Sequence, residues 1–271
     1  MTDRVEKALE KARQQRSGAA SQPARGGPSR RVDASPAPMP LVYETTRQEN
    51  VSLGTFKKNR IIAGLKDDWR ADAFRVLRAR VLQRMASEGW TTLGITSPAA
   101  GDGKTLTAVN LAICIAQDMN QTVLLVDADF RRPRIHTYFG LSPGVGLSDY
   151  LVGDCGLEDC FINPGIERLV ILPQAASLLN SSEILAMPKT KGLFRELKAR
   201  YPDRFVLYDL PPVLSSDDTI VILPNLDASL LVVQEGKSHE NEVERALDLM
   251  RDHNLLGSVL NRSEHGEGYY Y

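Results

Sequence analysis

Leu93-Gly94-Ile95-Thr96-Ser97-Pro98-Ala99-Ala100-Gly101-Asp102-Gly103-Lys104-Thr105 runs from a short apolar strand into a glycine-rich loop and stops at a lysine and a threonine. A loop that binds phosphate needs that order. Gly101 and Gly103 let successive backbone N–H groups turn toward anionic oxygens. Lys104 reaches the β- and γ-phosphates, and the Thr105 hydroxyl ligates Mg²⁺ where a helix begins. The helix follows directly over 104–117, with Leu106, Val109, Asn110 and Ile113 at helical spacing. Pro98 stands where the G-x-x-x-x-G-K-[ST] pattern has its first glycine, so a plain glycine-rich turn is the competing reading. The strand before and the helix after decide for a nucleoside triphosphate, held by Gly101, Asp102, Gly103, Lys104, Thr105 and Leu106.

Outward from that loop, helix and strand alternate. A helix is expected over 67–87, with Phe74, Leu77, Val81, Leu82 and Met85 on one side. Strands are expected near 91–97, 122–127, 168–172, 205–209, 228–233 and 256–260, with helices near 104–117, 181–200, 216–223 and 239–253. The strands are continuous apolar runs (V-L-L-V, L-V-I-L, F-V-L-Y, L-L-V-V) rather than alternating ones. Such runs belong to a parallel sheet buried on both faces. The fold class is α/β: a P-loop three-layer αβα domain with a mostly parallel central sheet, over 65–261. Ligands of such sheets gather at the carboxyl ends of the strands. Thr96-Ser97, Asp127, Asp209 and Asn261 should therefore surround one nucleotide.

Before this domain, residues 1–16 have helical composition with a thin apolar stripe (Val5, Ala8, Leu9, Ala12), too short to be stable alone. Such a helix either frays or docks. Residues 17–64 read as a low-complexity linker, richest in Ser, Gly, Ala and Pro up to Pro40. Residues 262–271 read as a mobile, tyrosine-rich tail.

With 271 residues, 42% of them hydrophobic, the chain can bury one sizeable α/β core. A net charge of −1 gives no global pull toward nucleic acid, and none is expected as a partner. Cys114, Cys155 and Cys160 form no metal-ligand pattern. Cys114 reads as core, the other two as surface thiols. There is no signal-peptide pattern and no apolar run long enough to span a bilayer. The expected location is the cytoplasm.

The acids complete the reading. V-L-L-V-D-A-D-F-R-R-P sets Asp127 and Asp129 after one strand, and F-V-L-Y-D-L-P-P sets Asp209 after another. One such acid alone would serve equally as a helix or turn cap. Three on the edge that carries Lys104 and Thr105 fit a divalent cation, Mg²⁺.

These motifs resemble those of the bacterial tyrosine kinases, a branch of the deviant P-loop ATPases, over about 65–271. The matching stretches are S-P-A-A-G-D-G-K-T, the D-x-D motif at Asp127–Pro133 and D-x-P-P at Asp209–Pro212. The strand end Gly257–Asn261 matches the position whose asparagine contacts adenine. Asp72-x-x-Arg75-x-x-Arg78 matches a helix motif used for self-association, with Asp for the usual Glu. Leu210 replaces a small hydroxyl residue. The arrangement is most similar to cytoplasmic kinases of exopolysaccharide and exosortase loci.

The resemblance implies ATP and Mg²⁺, with Thr105, Asp129 and Asp209 holding the metal and Lys104, Asp127, Asp129 and Asp209 catalytic. It also implies a homo-oligomer and an inner-membrane polysaccharide chain-length regulator that recruits the chain to the membrane. A cognate tyrosine phosphatase completes the set.

The chain has 8 tyrosines, and Tyr269, Tyr270 and Tyr271 take its last three places, where they fit autophosphorylation sites. The other class considered is a nucleotide-switched positioning ATPase of the partition type, which hydrolyses ATP to water. That branch carries a second lysine where Ala99 stands here, so Ala99 and the tail favour the kinase.

Overall fold

Val123 and Leu125 pack into one apolar cluster, Leu124 and Val126 into another, and the same alternation separates Leu207 from Val206 and Tyr208. Every second residue of these strands thus faces a different core, and both cores are closed. That is why the strands read as unbroken apolar runs. The protein is described here from a computed structural model, at residues 46–65, 68–118, 121–178, 181–199 and 204–263. These all belong to one unit, Pro40–Tyr271. The expected helix over 1–16, the linker up to residue 45 and Tyr269, Tyr270 and Tyr271 lie outside the described residues.

In chain order the elements are β1 (Arg47–Gln48), α1 (Leu53–Lys58), α2 (Ala71–Glu88), β2 (Thr92–Thr96), α3 (Lys104–Ala116), β3 (Thr122–Asp127), α4 (Ile135–Phe139) and α5 (Leu147–Val152). Then follow β4 (Ile162–Asn163), β5 (Leu169–Leu172), α6 (Ser181–Ala186), α7 (Pro188–Ala199), β6 (Arg204–Asp209), α8 (Asp218–Ile222), β7 (Ala228–Gln234), α9 (Glu240–Met250) and β8 (Leu255–Asn261). The sheet order is β1-β4-β5-β3-β6-β2-β7-β8. Every pairing is parallel except β4 with β5. Helices α2 and α3 cover one face through Val81, Met85 and the apolar side of α3. Helices α5, α6, α7 and α9 cover the other through Leu151, Leu185, Phe194 and Met250. The three-layer αβα architecture expected from the sequence is therefore the observed one.

The linker expectation needs correction over 46–64. This segment forms β1, α1 and a 3₁₀ turn at Ile62–Gly64, and it buries Phe56, Ile61 and Ala63. Two amides, one on α3 and one at its C-terminal cap, hold it there. Asn110 Oδ1 accepts from the Ala63 N–H at 2.9 Å, and Gln117 Nε2 donates to the Ala63 carbonyl at 2.8 Å. Burying the Phe56 side chain contributes about 1.5–3 kcal/mol, and Ile61 and Ala63 add to it, so that burial and the satisfied backbone together hold the stretch.

Three further details depart from expectation. The helix expected over 181–200 is two, because Pro188 has no N–H to give and α7 restarts at it. Cys160 is not a surface thiol but fully buried, with Cys155 half-buried and the two Sγ atoms 3.4 Å apart. Arg78 is half-buried, and its Nη1 donates to the Cys114 carbonyl in the last turn of α3 at 3.0 Å. Its guanidinium is thus engaged within the domain, while Arg75 pairs with Asp72 on the exposed side of α2.

Candidate active site

Strand β2 delivers the phosphate-binding loop, and its neighbours β6 and β7 fix where the loop starts. Ile95 pairs with Asp209 on one side and Leu230 on the other. Beyond the strand ends, Thr96 Oγ1 and Thr219 Oγ1 both donate to the Pro211 carbonyl at 2.7 Å. The D-L-P-P segment is thereby clamped against the loop. Leu210, unusual for its position, fills the space over Gly94, where a Cβ would stand 2.8 Å from its Cδ1.

Within the loop, Gly101 (φ +88°) and Gly103 (φ +101°) take the left-handed conformation that the sequence reserved for glycine. A Cβ on Gly103 would also lie 1.9 Å from Asn261 Nδ2. Asp102 points inward and is fully buried. Its Oδ2 accepts from the Ala99 N–H at 3.0 Å, closing the loop on itself. Lys237, just after β7, donates to the Ala100 carbonyl (2.7 Å) and to Asp102 Oδ1 (3.1 Å). Asn261, assigned by resemblance to the adenine, donates its Nδ2 to the Asp102 carbonyl at 2.8 Å. Sequence reasoning missed Lys237, since a lone lysine in a polar loop carries no signal of what it touches. Leu106 lies half-buried in the first turn of α3, its carbonyl taken by Asn110 at 2.9 Å.

The catalytic candidates meet at the start of α3. Lys104 Nζ lies 2.9 Å from Asp129 Oδ2, 3.2 Å from Asp209 Oδ1 and 3.2 Å from Thr105 Oγ1. Thr105 Oγ1 donates to Asp209 Oδ2 at 2.6 Å. Asp127 sits one strand over, in register with Asp209. Its Oδ2 accepts from the N–H groups of Arg134 (3.0 Å) and Ile135 (2.9 Å), and its Oδ1 from the Asp129 N–H at a longer 3.3 Å. The structure thus brings Lys104, Thr105, Asp127, Asp129 and Asp209 together, with Asn261 outside this cluster on the loop's other flank.

Its electrostatics are unbalanced. Three buried carboxylates face one ammonium. Burial pushes the Asp127 carboxyl well above the usual carboxylate range, and the nearby Asp209 charge adds to that. Burial likewise raises Asp209, against the opposing pull of Lys104 and the Thr105 hydroxyl. For Lys104, burial favours the neutral amine, but Asp209 and Asp129 outweigh it and hold the group above an ordinary lysine. The excess negative charge, presented on hard oxygens beside a threonine hydroxyl, fits Mg²⁺. Among the described residues no group of three or more His, Cys, Asp or Glu would cage a metal unaided.

Strand, glycine-rich loop and helix around a buried lysine define the class: this is a P-loop nucleotide-binding domain. The family model described as an AAA domain matches residues 91–249. The tyrosine-protein kinase YwqD of Bacillus subtilis is 31% identical over 206 residues, covering 74% of this chain and 86% of that protein. Longer tyrosine-protein kinases also match, and the chain spans 26–31% of their length. Among solved structures, the kinase domain of the Escherichia coli tyrosine kinase ETK superposes with a TM-score of 0.69 at 27% identity, over 83% of this chain and 94% of that one. The septum site-determining protein MinD of Pyrococcus horikoshii, complexed with Mg-ADP, gives a TM-score of 0.53 at 27% identity, over 64% and 72% of the two chains. The chain belongs to the bacterial tyrosine-protein kinase family. Among the described residues no helix is long and apolar enough to cross a membrane.

Proposed function

We propose that this chain is an ATP-dependent, Mg²⁺-requiring tyrosine autokinase that phosphorylates Tyr269, Tyr270 and Tyr271 and thereby regulates exopolysaccharide synthesis or export. The observation that carries this reading is the cluster of Lys104, Thr105, Asp129 and Asp209 at the phosphate-binding loop, with Asp127 at its edge. Phosphoryl transfer passes through a loose transition state, so positioning and charge neutralisation dominate. Lys104 and the loop N–H groups stabilise charge developing on the β- and γ-phosphates. Thr105, Asp129 and Asp209 would hold Mg²⁺, directly or through water, and the ion would supply further neutralisation there. Asn261 holds the loop from the side assigned to the adenine.

Asp127 receives the acceptor proton. Its Oδ2 is committed to two backbone N–H groups, whereas Oδ1 holds only the 3.3 Å contact and has a lone pair to spare. The phenol oxygen forms a bond to the γ-phosphorus as the bond to the β,γ-bridging oxygen breaks. ADP leaves, and the phenol proton passes to Asp127. A phenol pKa near 10 lies far above an ordinary carboxyl, which makes the proton transfer late, and burial of Asp127 narrows that gap and makes it the better base.

Self-association through Asp72, Arg75 and Arg78 belongs to the same proposal, with Arg75 and Asp72 on the exposed side of α2 and Arg78 bracing α3 beneath them. An inner-membrane chain-length regulator would activate the chain, and a phosphatase would reset it. Each phosphate adds about −1.5 to −2 charges, so three bring roughly −5 to −6. Such a tail would leave a site lined by three aspartates. Replacing Tyr269, Tyr270 and Tyr271 with Phe keeps the rings and removes the acceptors. That variant is expected to lose at least about nine-tenths of autophosphorylation while still phosphorylating an added tail peptide. Phosphosite mapping by mass spectrometry is the check. Phosphate found mainly on Tyr43, Tyr138 or Tyr150 would show that the tail is not the substrate.

A further inference from the structure

The loop that follows Asp127 and Asp129 does more than orient them. Its backbone reaches back to the acids: the Arg132 N–H donates to Asp129 Oδ1 at 3.0 Å and the Arg134 N–H to Asp127 Oδ2 at 3.0 Å. The same residues also line a groove of about 510 Å³. Arg131, Arg132, Arg134 and His136 line it together with Ala175, Ala176 and Ser177. The segment that carries Ala175–Ser177 is pinned in place. The Leu178 N–H donates to the Phe130 carbonyl at 2.8 Å, and Gly146 packs so closely that a Cβ on it would lie 2.5 Å from the Ala175 nitrogen.

The charge of the groove is not spent internally. Arg131 is occupied, bridging to Asp217 at 3.3 Å and Asp218 at 3.5 Å. Arg132 and Arg134 are exposed and pair with no carboxylate among the described residues. His136 Nδ1 is buried with no hydrogen-bond partner among them. Two guanidiniums without a carboxylate partner among the described residues thus line the groove, on the residues whose own backbone N–H groups hold Asp129 and Asp127. An anion fits there, and Arg is the residue suited to take a carboxylate bidentately.

We propose that this groove selects the acceptor by charge: Arg132 and Arg134 bind carboxylates of a peptide segment whose tyrosine reaches Asp127. This deepens the kinase reading and rests on it. The chain supplies a segment of that chemistry itself. In R-S-E-H-G-E-G-Y-Y-Y, Glu264 and Glu267 stand five and two residues before Tyr269. Two residues of extended chain span at most about 7 Å. A glutamate at that spacing would rest in the groove while the phenol sits at the acids. A tyrosine flanked only by neutral residues would gain nothing there.

The test is direct binding. A fluorescently labelled peptide of sequence Arg262–Tyr271 and its Glu264→Gln/Glu267→Gln form are titrated with the full chain. A saturating non-hydrolysable ATP analogue and Mg²⁺ are present throughout, and anisotropy gives the affinity. The acidic peptide is expected to bind roughly fivefold or more tightly than the neutral one at low salt, with the difference shrinking at about 0.5 M salt. In Arg132→Ala/Arg134→Ala the two affinities should agree within about twofold. Alanine keeps both backbone N–H groups, so the acids stay oriented and the variant folds. Equal affinities in the wild type, discrimination that survives in the variant, or no binding of either peptide would overturn the proposal. Phosphorylation of the same peptides separates the two claims. Charge-selective binding without phosphotransfer would sink the kinase reading alone, and phosphotransfer to both peptides with equal KM would sink the groove alone.

Discussion

Lys104→Met is expected to lower phosphoryl transfer by at least about 10³-fold, the scale at which removal of one preorganised charge from a phosphoryl transition state registers. The substitution keeps the length and apolar stem of the side chain and removes only the ammonium. It should also leave a signature in folding. Among the described residues, Lys104 is the cation within contact of Asp129 and Asp209. Breaking a buried pair by removing one partner costs about 3–5 kcal/mol. Without the lysine, the Asp209 carboxyl, already raised by burial, rises further. A carboxyl whose folded pKa is raised contributes its stability at low pH and loses it as pH climbs through that pKa. The variant should therefore be nearly as stable as the wild type near pH 5 and clearly less stable near pH 8. Chemical denaturation at the two pH values measures this. A stability loss independent of pH would mean that the acids are not what Lys104 balances.

Asp127→Asn is expected to act on chemistry and hardly on binding. Phosphotransfer should fall by about 10²- to 10⁴-fold, the range for a lost general base, with nucleotide affinity kept within about threefold. The amide oxygen can still accept from the Arg134 and Ile135 N–H groups, so the loop geometry survives. Ionising the wild-type carboxyl costs stability, because burial and Asp209 hold its pKa well above the usual range. The metal-free variant should thus be more stable than the wild type at pH 8, and the advantage should vanish as pH falls and the wild-type carboxyl takes up its proton. Denaturation without metal, beside single-turnover kinetics and nucleotide titration, checks all three outcomes. Equal losses of nucleotide affinity and turnover would reassign Asp127 as a metal ligand.

Much of this site was legible in the sequence because its parts follow strand ends. An apolar run fixes where a parallel strand stops, and Thr96, Asp127, Asp209 and Asn261 all fall there. The glycines at 101 and 103 announced backbone that only glycine adopts easily, and both φ values are positive. What stayed hidden depends on contacts between distant segments. Asn110 and Gln117 look like ordinary polar positions of a helix, yet their amides capture residues 60–63 and turn part of an apparent linker into core. Lys237 reaches the loop across 135 positions of sequence to Asp102. The helical spacing of Arg75 and Arg78 suggested one shared face, but a half-buried arginine bonded to the Cys114 carbonyl separates their roles. The basic groove was invisible for a related reason. Arg132 was read only as part of a motif and Arg134 not at all, and the groove they line forms only where residues 131–137 meet residues 175–177.

A tyrosine kinase sends the γ-phosphate to tyrosine rather than to water. Incubating the full chain with Mg²⁺ and γ-labelled ATP, then separating protein-bound label from inorganic phosphate over time, measures that partition directly. The expected result is label accumulating on the protein as phosphotyrosine, recovered in the peptide that carries Tyr269, Tyr270 and Tyr271, and lost in Lys104→Met. Label released only as inorganic phosphate, with no phosphotyrosine on the chain or on added tail peptide, would contradict it and make the protein a nucleotide-switched ATPase.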